Sequence, residues 1–173
     1  MRNGGDDGAP AAGMGALLRR ACEVTALAGG ALLLCAMLFV SANVVSAAVF
    51  AAPVLGDSEV VELLGAVAIA AFLPYCHFER ANVIIELVER LVAARTTALL
   101  DFAAGVLFSI VAAVVLWRLI AGGIDAHMAD DATMFLRIPL SIGYAGAILP
   151  CMLWVVVALY VNVVQWRRVA GAV

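Results

Sequence analysis

Four long apolar runs constrain the fold of this chain more than any other feature of its sequence. The runs cover residues 24–50, 60–78, 98–120 and 138–165. A membrane-spanning helix needs about 20 apolar residues, and in lipid a run of this length can satisfy its backbone polar groups internally only as a helix. The pattern therefore predicts an all-α integral membrane protein with four transmembrane helices.

The composition of the chain points to the same class. Hydrophobic residues make up 66% of the 173 residues and charged residues 13%, whereas soluble domains average about 45–50% and roughly 25%. A soluble globule of this composition would lack the polar side chains to cover its surface. All ten basic residues are arginines and they form no dense basic cluster, so nucleic acid is not an expected partner.

The segment 82–95 has a helical period but is too short to span a bilayer. At about 100° per residue, its large aliphatic side chains fall on one face and its polar side chains on the opposite face. We expect an interfacial amphipathic helix between spans two and three, lying in the plane of the membrane surface. The apolar face comprises Ile84, Leu87, Val88 and Leu91, and the opposite face Asn82, Glu86, Glu89, Arg90 and Ala93.

The arginines are distributed unequally between the two sides of the predicted membrane. Eight of the ten lie in the N-terminal tail, the segment between spans two and three, and the C-terminal tail. Because cytoplasmic loops carry an excess of basic residues, both termini are predicted to be cytoplasmic. Residues 1–18 are expected to form a disordered cytoplasmic tail, followed by a four-helix membrane domain over 19–168. The first apolar run is too long for a cleaved signal peptide and is interpreted as a retained span.

The sequence contains no grouping of side chains typical of catalysis or cofactor binding. His77 and His127 are predicted to lie about a membrane thickness apart, so they cannot jointly bind a haem or a metal within one chain. The four cysteines lie far apart, without the spacing of a zinc or redox site. We predict that the chain is not an enzyme and binds no cofactor.

A few polar and small residues stand out within the spans. Asn43 in span one and Asn162 in span four are expected to hydrogen-bond across helices. Glu59 and Glu62, in the first turns of span two, have two interpretations: favourable charge at a helix N-terminus, or contact with a partner. Six glycines are expected to permit close helix contacts: Gly29, Gly30, Gly65, Gly105, Gly143 and Gly146.

The order of several short motifs resembles the small, four-span membrane subunit of TRAP (tripartite ATP-independent periplasmic) transporters. The first motif starts at Asn43-Val44 and runs through Phe50 and Pro53 to Glu59. The second is the stretch 80–88, which contains Asn82, Glu86 and Leu87. The third comprises Thr133, Ile138-Pro139, Tyr144 and Pro150. The resemblance covers about residues 19–166, which is nearly the whole chain.

The resemblance implies a function that the residues alone do not indicate. A TRAP small subunit pairs with a large multi-span membrane subunit that holds the substrate and sodium sites, and a periplasmic solute-binding protein delivers the substrate. The system uses ion gradients to take up an organic acid across the bacterial inner membrane. The small subunit is then a scaffold in contact with the large subunit and membrane lipid. The candidate partner-contact or family-motif residues are Asn43, Glu59, Glu62, Asn82, Glu86, Leu87, Leu91, Pro139 and Tyr144.

Three other interpretations lead to different expectations. A membrane-anchor subunit of a redox complex requires histidines that face each other inside the bundle. A small multidrug-type exporter requires a buried carboxylate within span one, where residues 24–50 contain none. A four-span membrane protein of unknown role is the third.

Overall fold

Four long helices make up the structure, a computed structural model that describes residues 9–51, 55–88 and 94–171, with side chains over 13–51, 55–79 and 102–167. The helices are α1 (Ala9–Phe50), α2 (Asp57–Val88), α3 (Ala94–Met128) and α4 (Leu140–Gly171). Each contains a stretch long and apolar enough to cross a membrane: Gly13–Phe50, Asp57–Glu79, Phe102–Met128 and Leu140–Arg167. The prediction of an all-α protein with four transmembrane helices is confirmed.

Two predicted details differ from the structure. Helix α1 begins at Ala9, so helix covers residues 9–18 of the segment expected to be a disordered tail. The separate interfacial helix over 82–95 is not found, because α2 continues without a break to Val88 and α3 begins at Ala94. Neither glycine nor proline occurs between Pro74 and Val88, so nothing in the sequence interrupts helix propagation there. Residues 89–93 and the side chains of 80–101 lie outside the described part.

The connection from α1 to α2 ends in a turn at residues 55–56 that depends on glycine. Ala51 has a φ of 51° and Gly56 a φ of 94°, and only glycine adopts the latter region without strain. The carbonyl oxygen of Gly56 accepts hydrogen bonds from the backbone N–H groups of Glu59 (3.1 Å) and Val60 (3.4 Å), which starts α2 directly after the turn.

The connection from α3 to α4, residues 129–139, folds back on itself as a compact loop. The Thr133 N–H donates to the Ile138 carbonyl (3.0 Å), and the Ile138 N–H donates to the Thr133 hydroxyl oxygen (3.0 Å). An isolated antiparallel bridge pairs Ala132 with Pro139. Because these bonds satisfy backbone groups within the loop, it keeps a defined shape without a regular element of its own.

The helices pack as a row in the order α1, α2, α4, α3. The close helix pairs are α1 with α2, α2 with α4, and α4 with α3. Leu18 and Cys22 of α1 form a buried cluster with Val157 and Val161 of α4, so the start of α1 and the end of α4 lie at the same end of the bundle. We call this the terminal end, and the opposite end, which carries the α1–α2 turn and loop 129–139, the loop end.

Small residues bring the helices close together. A Cβ atom at Gly29 would lie 2.9 Å from the Ala71 Cβ atom, and one at Gly146 would lie 2.9 Å from the Val67 Cγ2 atom. Gly105 and Gly143 are similarly crowded, whereas Gly30 and Gly65 face open space. The expected close contacts are thus confirmed at four of the six glycines and wrong at the other two.

Candidate functional site

Glu59 joins the N-terminus of α2 to loop 129–139. Its Oε1 atom accepts a hydrogen bond from the Phe135 N–H (2.9 Å), and its Oε2 atom accepts one from the Leu136 N–H (3.1 Å). Both carboxylate oxygens are therefore bound to consecutive amides of one loop, as bidentate charge-assisted contacts. This intrachain role was not among the two sequence interpretations, because the partners lie 76 and 77 residues away along the chain.

The loop lies directly against the turn that begins α2. A Cβ atom at Gly56 would lie 2.9 Å from the Leu136 Cγ atom and 3.1 Å from the Phe135 Cβ atom. Glycine is therefore required at position 56 both for its backbone angle and for the space it leaves. The Met134 side chain is 86% exposed and that of Phe135 60% exposed, so the tip of the loop presents apolar groups outward.

Asn43 joins the last part of α1 to the first residue of α2. Its side chain is buried, and its Nδ2 atom donates a hydrogen bond to the Asp57 Oδ2 atom (2.9 Å). A buried amide in an apolar helix is costly unless it is paired, and the carboxylate partner meets that need. The expectation that Asn43 bonds across helices is confirmed.

An open groove of about 430 Å³ lies below loop 129–139, between α2, α3 and α4. Its walls are mostly apolar, and its polar groups are the two carboxylates, one hydroxyl and one phenol. The lining residues are Glu59, Glu62, Leu63, Ala66, Leu119, Thr133, Met134, Leu140, Gly143, Tyr144 and Ala147.

Tyr144 and Pro139 both contribute to the α4 side of this end. A Cβ atom at Gly122 would lie 3.0 Å from the Tyr144 ring, and one at Gly123 would lie 3.1 Å from the Tyr144 Cβ atom. The aromatic side chain therefore rests on a glycine pair of α3, at the edge of the groove. Pro139 precedes α4, and its carbonyl oxygen accepts a hydrogen bond from the Ile142 N–H (3.1 Å).

The structure thus places five of the nine candidate residues at the loop end. They are Asn43, Glu59, Glu62, Pro139 and Tyr144. Glu59, Glu62 and Tyr144 line one groove. Asn43 lies outside this groove, where it bonds Asp57 at the start of α2. The side chains of the other four, Asn82, Glu86, Leu87 and Leu91, lie outside the described residues.

A second polar cluster lies toward the terminal end, between α3 and α4. The Asn162 Nδ2 atom donates to the Ser109 Oγ atom (2.6 Å), and the Ser109 hydroxyl donates to the Gly105 carbonyl (3.1 Å). The cross-helix bond expected of Asn162 is confirmed. The sequence analysis did not identify Ser109 or the buried Gln165. Spacing was the available signal, because Ser109 lies four residues after Gly105 and Gln165 three residues after Asn162, which places each pair on one helix face.

The two histidines lie at different ends of the bundle. His77, late in α2, makes an edge contact with the Phe108 ring at a centroid distance of 5.5 Å. His127 is exposed in the last turn of α3, at the loop end. Among the residues whose side chains are described, no three histidine, cysteine or acidic side chains come together as a metal site.

Comparison with known proteins supplies the family. No curated protein and no solved structure matches the chain. The family model described as the DctQ component of tripartite ATP-independent periplasmic transporters matches residues 36–170, well over half of the chain and all four apolar spans in whole or in part. The chain therefore belongs to the DctQ family, the small membrane component of TRAP transporters.

Proposed function

We propose that this chain is the small permease subunit of a TRAP-type secondary transporter and a scaffold for its large membrane subunit. The assembled system takes up an organic acid, delivered by a periplasmic solute-binding protein, and uses an ion gradient to drive the transport. The chain itself carries out no chemical reaction in this proposal. Family membership supports the role in transport, and the surface of the bundle supports the role of a scaffold.

The observation that carries the scaffold role is the apolar surface of the two outer helices. The uncharged apolar run of α1, residues 24–50, is longer than the about 20 residues that a bilayer crossing needs. Large side chains are exposed along most of α1, and α3 exposes a similar series. Apolar surface that one chain leaves uncovered contacts either lipid or another membrane protein, and the large subunit of the family is such a protein. The exposed large side chains of α1 include Leu27, Leu34, Met37, Leu38 and Val45, and those of α3 include Leu107, Ile110, Val114 and Trp117.

The distribution of charge also favours a scaffold over a transporter that works alone. The apolar runs 24–50, 102–117 and 140–165 contain no charged residue. Sites for substrates and coupling ions lie near the bilayer midplane and are usually marked by ionisable residues or by unwound helix segments. In the proposed assembly, such a site belongs to the large subunit.

The arginine distribution supports a cytoplasmic terminal end and a periplasmic loop end. In that orientation loop 129–139 and the hydrogen bonds that join it to Glu59 face the periplasm, the compartment of the binding protein. Reporter fusions at Gly56 and Asp130 are expected to read periplasmic, and a fusion after Val173 cytoplasmic. A periplasmic C-terminus would overturn the orientation.

Reconstitution tests the function as a whole. The large subunit, the binding protein and this chain are placed in liposomes with an inward sodium gradient and a panel of organic acids. Accumulation is expected only when all three are present, and omission of this chain is expected to abolish it. If this chain alone accumulates a solute, or if the other two transport normally without it, the scaffold proposal is wrong.

A further inference from the structure

Glu59 and Glu62 are one turn apart on α2 but differ in what they bind. Both oxygens of Glu59 are occupied by loop amides. Glu62 is exposed, lines the same groove, and has no hydrogen-bond or ion-pair partner among the residues whose side chains are described. The groove therefore contains one carboxylate that is bound by loop amides and one that is unpaired among the described side chains.

The surroundings of Glu62 make an unpaired carboxylate unfavourable. It lies within the apolar stretch Asp57–Glu79, and the groove around it is lined mainly by Leu63, Leu119, Leu140 and other apolar residues. A charged side chain in a membrane segment is costly, and such residues commonly pair with an opposite charge. No arginine whose side chain the structure describes forms that pair, and the Arg118 guanidinium lies 6.0 Å from the centroid of the neighbouring Trp117 ring.

The groove is held in shape before any partner arrives. Glu59 fixes the loop that supplies Thr133 and Met134 to the lining, and Tyr144 is seated against Gly122 and Gly123. A preformed site favours binding because less conformational freedom is lost when it is occupied. The apolar walls suit the aliphatic part of a long basic side chain, and the Tyr144 ring offers a surface on which a cation is attracted.

We infer that this groove receives an arginine or lysine side chain of the large membrane subunit, whose cationic group pairs with Glu62. The inference rests on the proposed function, and it specifies where the large subunit contacts this chain and which charge the large subunit provides there. Complementary charge is the argument for the partner, since the chain provides an unpaired carboxylate at the rim of an apolar groove. An arginine would bind the carboxylate through two parallel hydrogen bonds.

Co-purification with the large subunit tests the inference in the full-length chain. Glu62→Gln removes the charge and keeps the shape, and Glu62→Arg reverses the charge. Asp130→Asn is the matched control, because it removes a carboxylate at the same end outside the groove, and asparagine tolerates the positive φ of 53° at that position. We expect Glu62→Gln to weaken the complex about tenfold in Kd, Glu62→Arg to weaken it further, and Asp130→Asn to leave it unchanged.

Charge reversal then identifies the partner residue. Arginines and lysines of the large subunit are changed to glutamate one at a time, and each variant is combined with Glu62→Arg. Restored co-purification with one of them supports the ion pair directly. A photo-crosslinking amino acid at Leu140 is expected to form an adduct with the large subunit, whereas one at Ala129 is not.

The outcomes separate the two proposals. If the wild-type chain co-purifies with the large subunit and both Glu62 variants behave like Asp130→Asn, the groove contact is wrong and the scaffold role remains. If Glu62→Gln instead releases only bound phosphatidylethanolamine, the groove is a lipid site and the inference is also wrong. If the wild-type chain does not bind the large subunit at all, both proposals fail. Thermal unfolding of each purified variant distinguishes misfolding from a lost contact.

Discussion

The inner helices α2 and α4 and the outer helices α1 and α3 are similar in composition but different in burial. Within their most apolar stretches, 22% of α2 residues and 39% of α4 residues are buried, against 11% in each of α1 and α3. All four are apolar enough to cross a membrane, so hydrophobicity does not distinguish inner from outer positions. The outer helices α1 and α3 therefore keep most of their surface available for lipid or for another protein.

The residues at the inner contacts differ in size from those on the outer surfaces. The buried hydrophobic positions are mostly small, whereas most of the large aliphatic side chains of α1 and α3 that are described are exposed or partly exposed. In lipid, helix association depends on close packing and hydrogen bonds because the acyl chains are as apolar as leucine. Small residues permit that close packing, which explains why they mark the inner contacts. Among the buried residues are Ala68, Ala70, Ala71, Ala112, Ala147 and Ala158.

The largest expected difference between inner and outer helices concerns two tryptophans. Trp154 on α4 is 6% exposed and Trp117 on α3 is 64% exposed. We expect Trp154→Ala to lower the free energy of unfolding by about 3 kcal/mol, because it leaves a cavity between packed helices. Trp117→Ala is expected to change it by no more than about 0.5 kcal/mol. Unfolding of both variants in detergent measures the difference, and equal losses would remove the distinction between inner and outer positions.

A smaller effect is expected at two neighbouring glycines of α1. A Cβ atom at Gly29 would lie 3.1 Å from the backbone oxygen of Ala68, whereas one at Gly30 meets nothing within 4 Å. Gly29→Ala should therefore destabilise the α1–α2 contact by about 1–3 kcal/mol. Gly30→Ala should be neutral or stabilising by up to about 1 kcal/mol, since alanine favours helix. Thermal unfolding of the two variants in parallel tests this, and a destabilising Gly30→Ala would contradict the packing of α1.

The bond from Asn43 to Asp57 joins an outer helix to an inner one. We expect Asn43→Ala to cost about 1 kcal/mol, in the range measured for hydrogen bonds between helices in membranes. Ser41→Ala is the control, because the exposed Ser41 hydroxyl donates only to the Met37 carbonyl of its own helix (2.8 Å). Denaturant unfolding of both variants provides the measurement, and an unaffected Asn43→Ala would show that the contact contributes nothing.

The smallest and most local effect is expected at Glu59. Glu59→Ala removes the acceptors of the Phe135 and Leu136 amides, so hydrogen exchange at these two amides should become faster while global unfolding changes little. Glu23→Ala, which removes an exposed ion pair with Arg19 at the terminal end, is expected to leave loop exchange unchanged. Slow exchange at Phe135 and Leu136 in the Glu59 variant would mean that the loop keeps its shape without the hydrogen bonds to Glu59.

Several features of the site were accessible from the sequence, and others were not. Asn43 and Asn162 were identifiable because an amide within an apolar span needs a partner. Glu59 and Glu62 were identifiable as charges at the start of a span. Only the structure shows that Glu59 is bound by loop amides and that Glu62 has no partner among the described side chains. That distinction depends on where loop 129–139 folds, and its contacts with Glu59 join residues 76 and 77 positions apart, beyond any local pattern.

Four membrane helices follow from the sequence alone, because apolar length and internal hydrogen bonding leave no other structure in lipid. The sequence did not predict the continuous α2, in which residues 82–88 extend the helix instead of starting a new one. The order α1, α2, α4, α3 and the contact at Gly29 instead of Gly30 depend on how the helices pack and are not visible in the sequence. The four helices are apolar around most of their circumference, so the faces that meet are selected by shape and close approach of backbones, which depend on residues far apart in the chain.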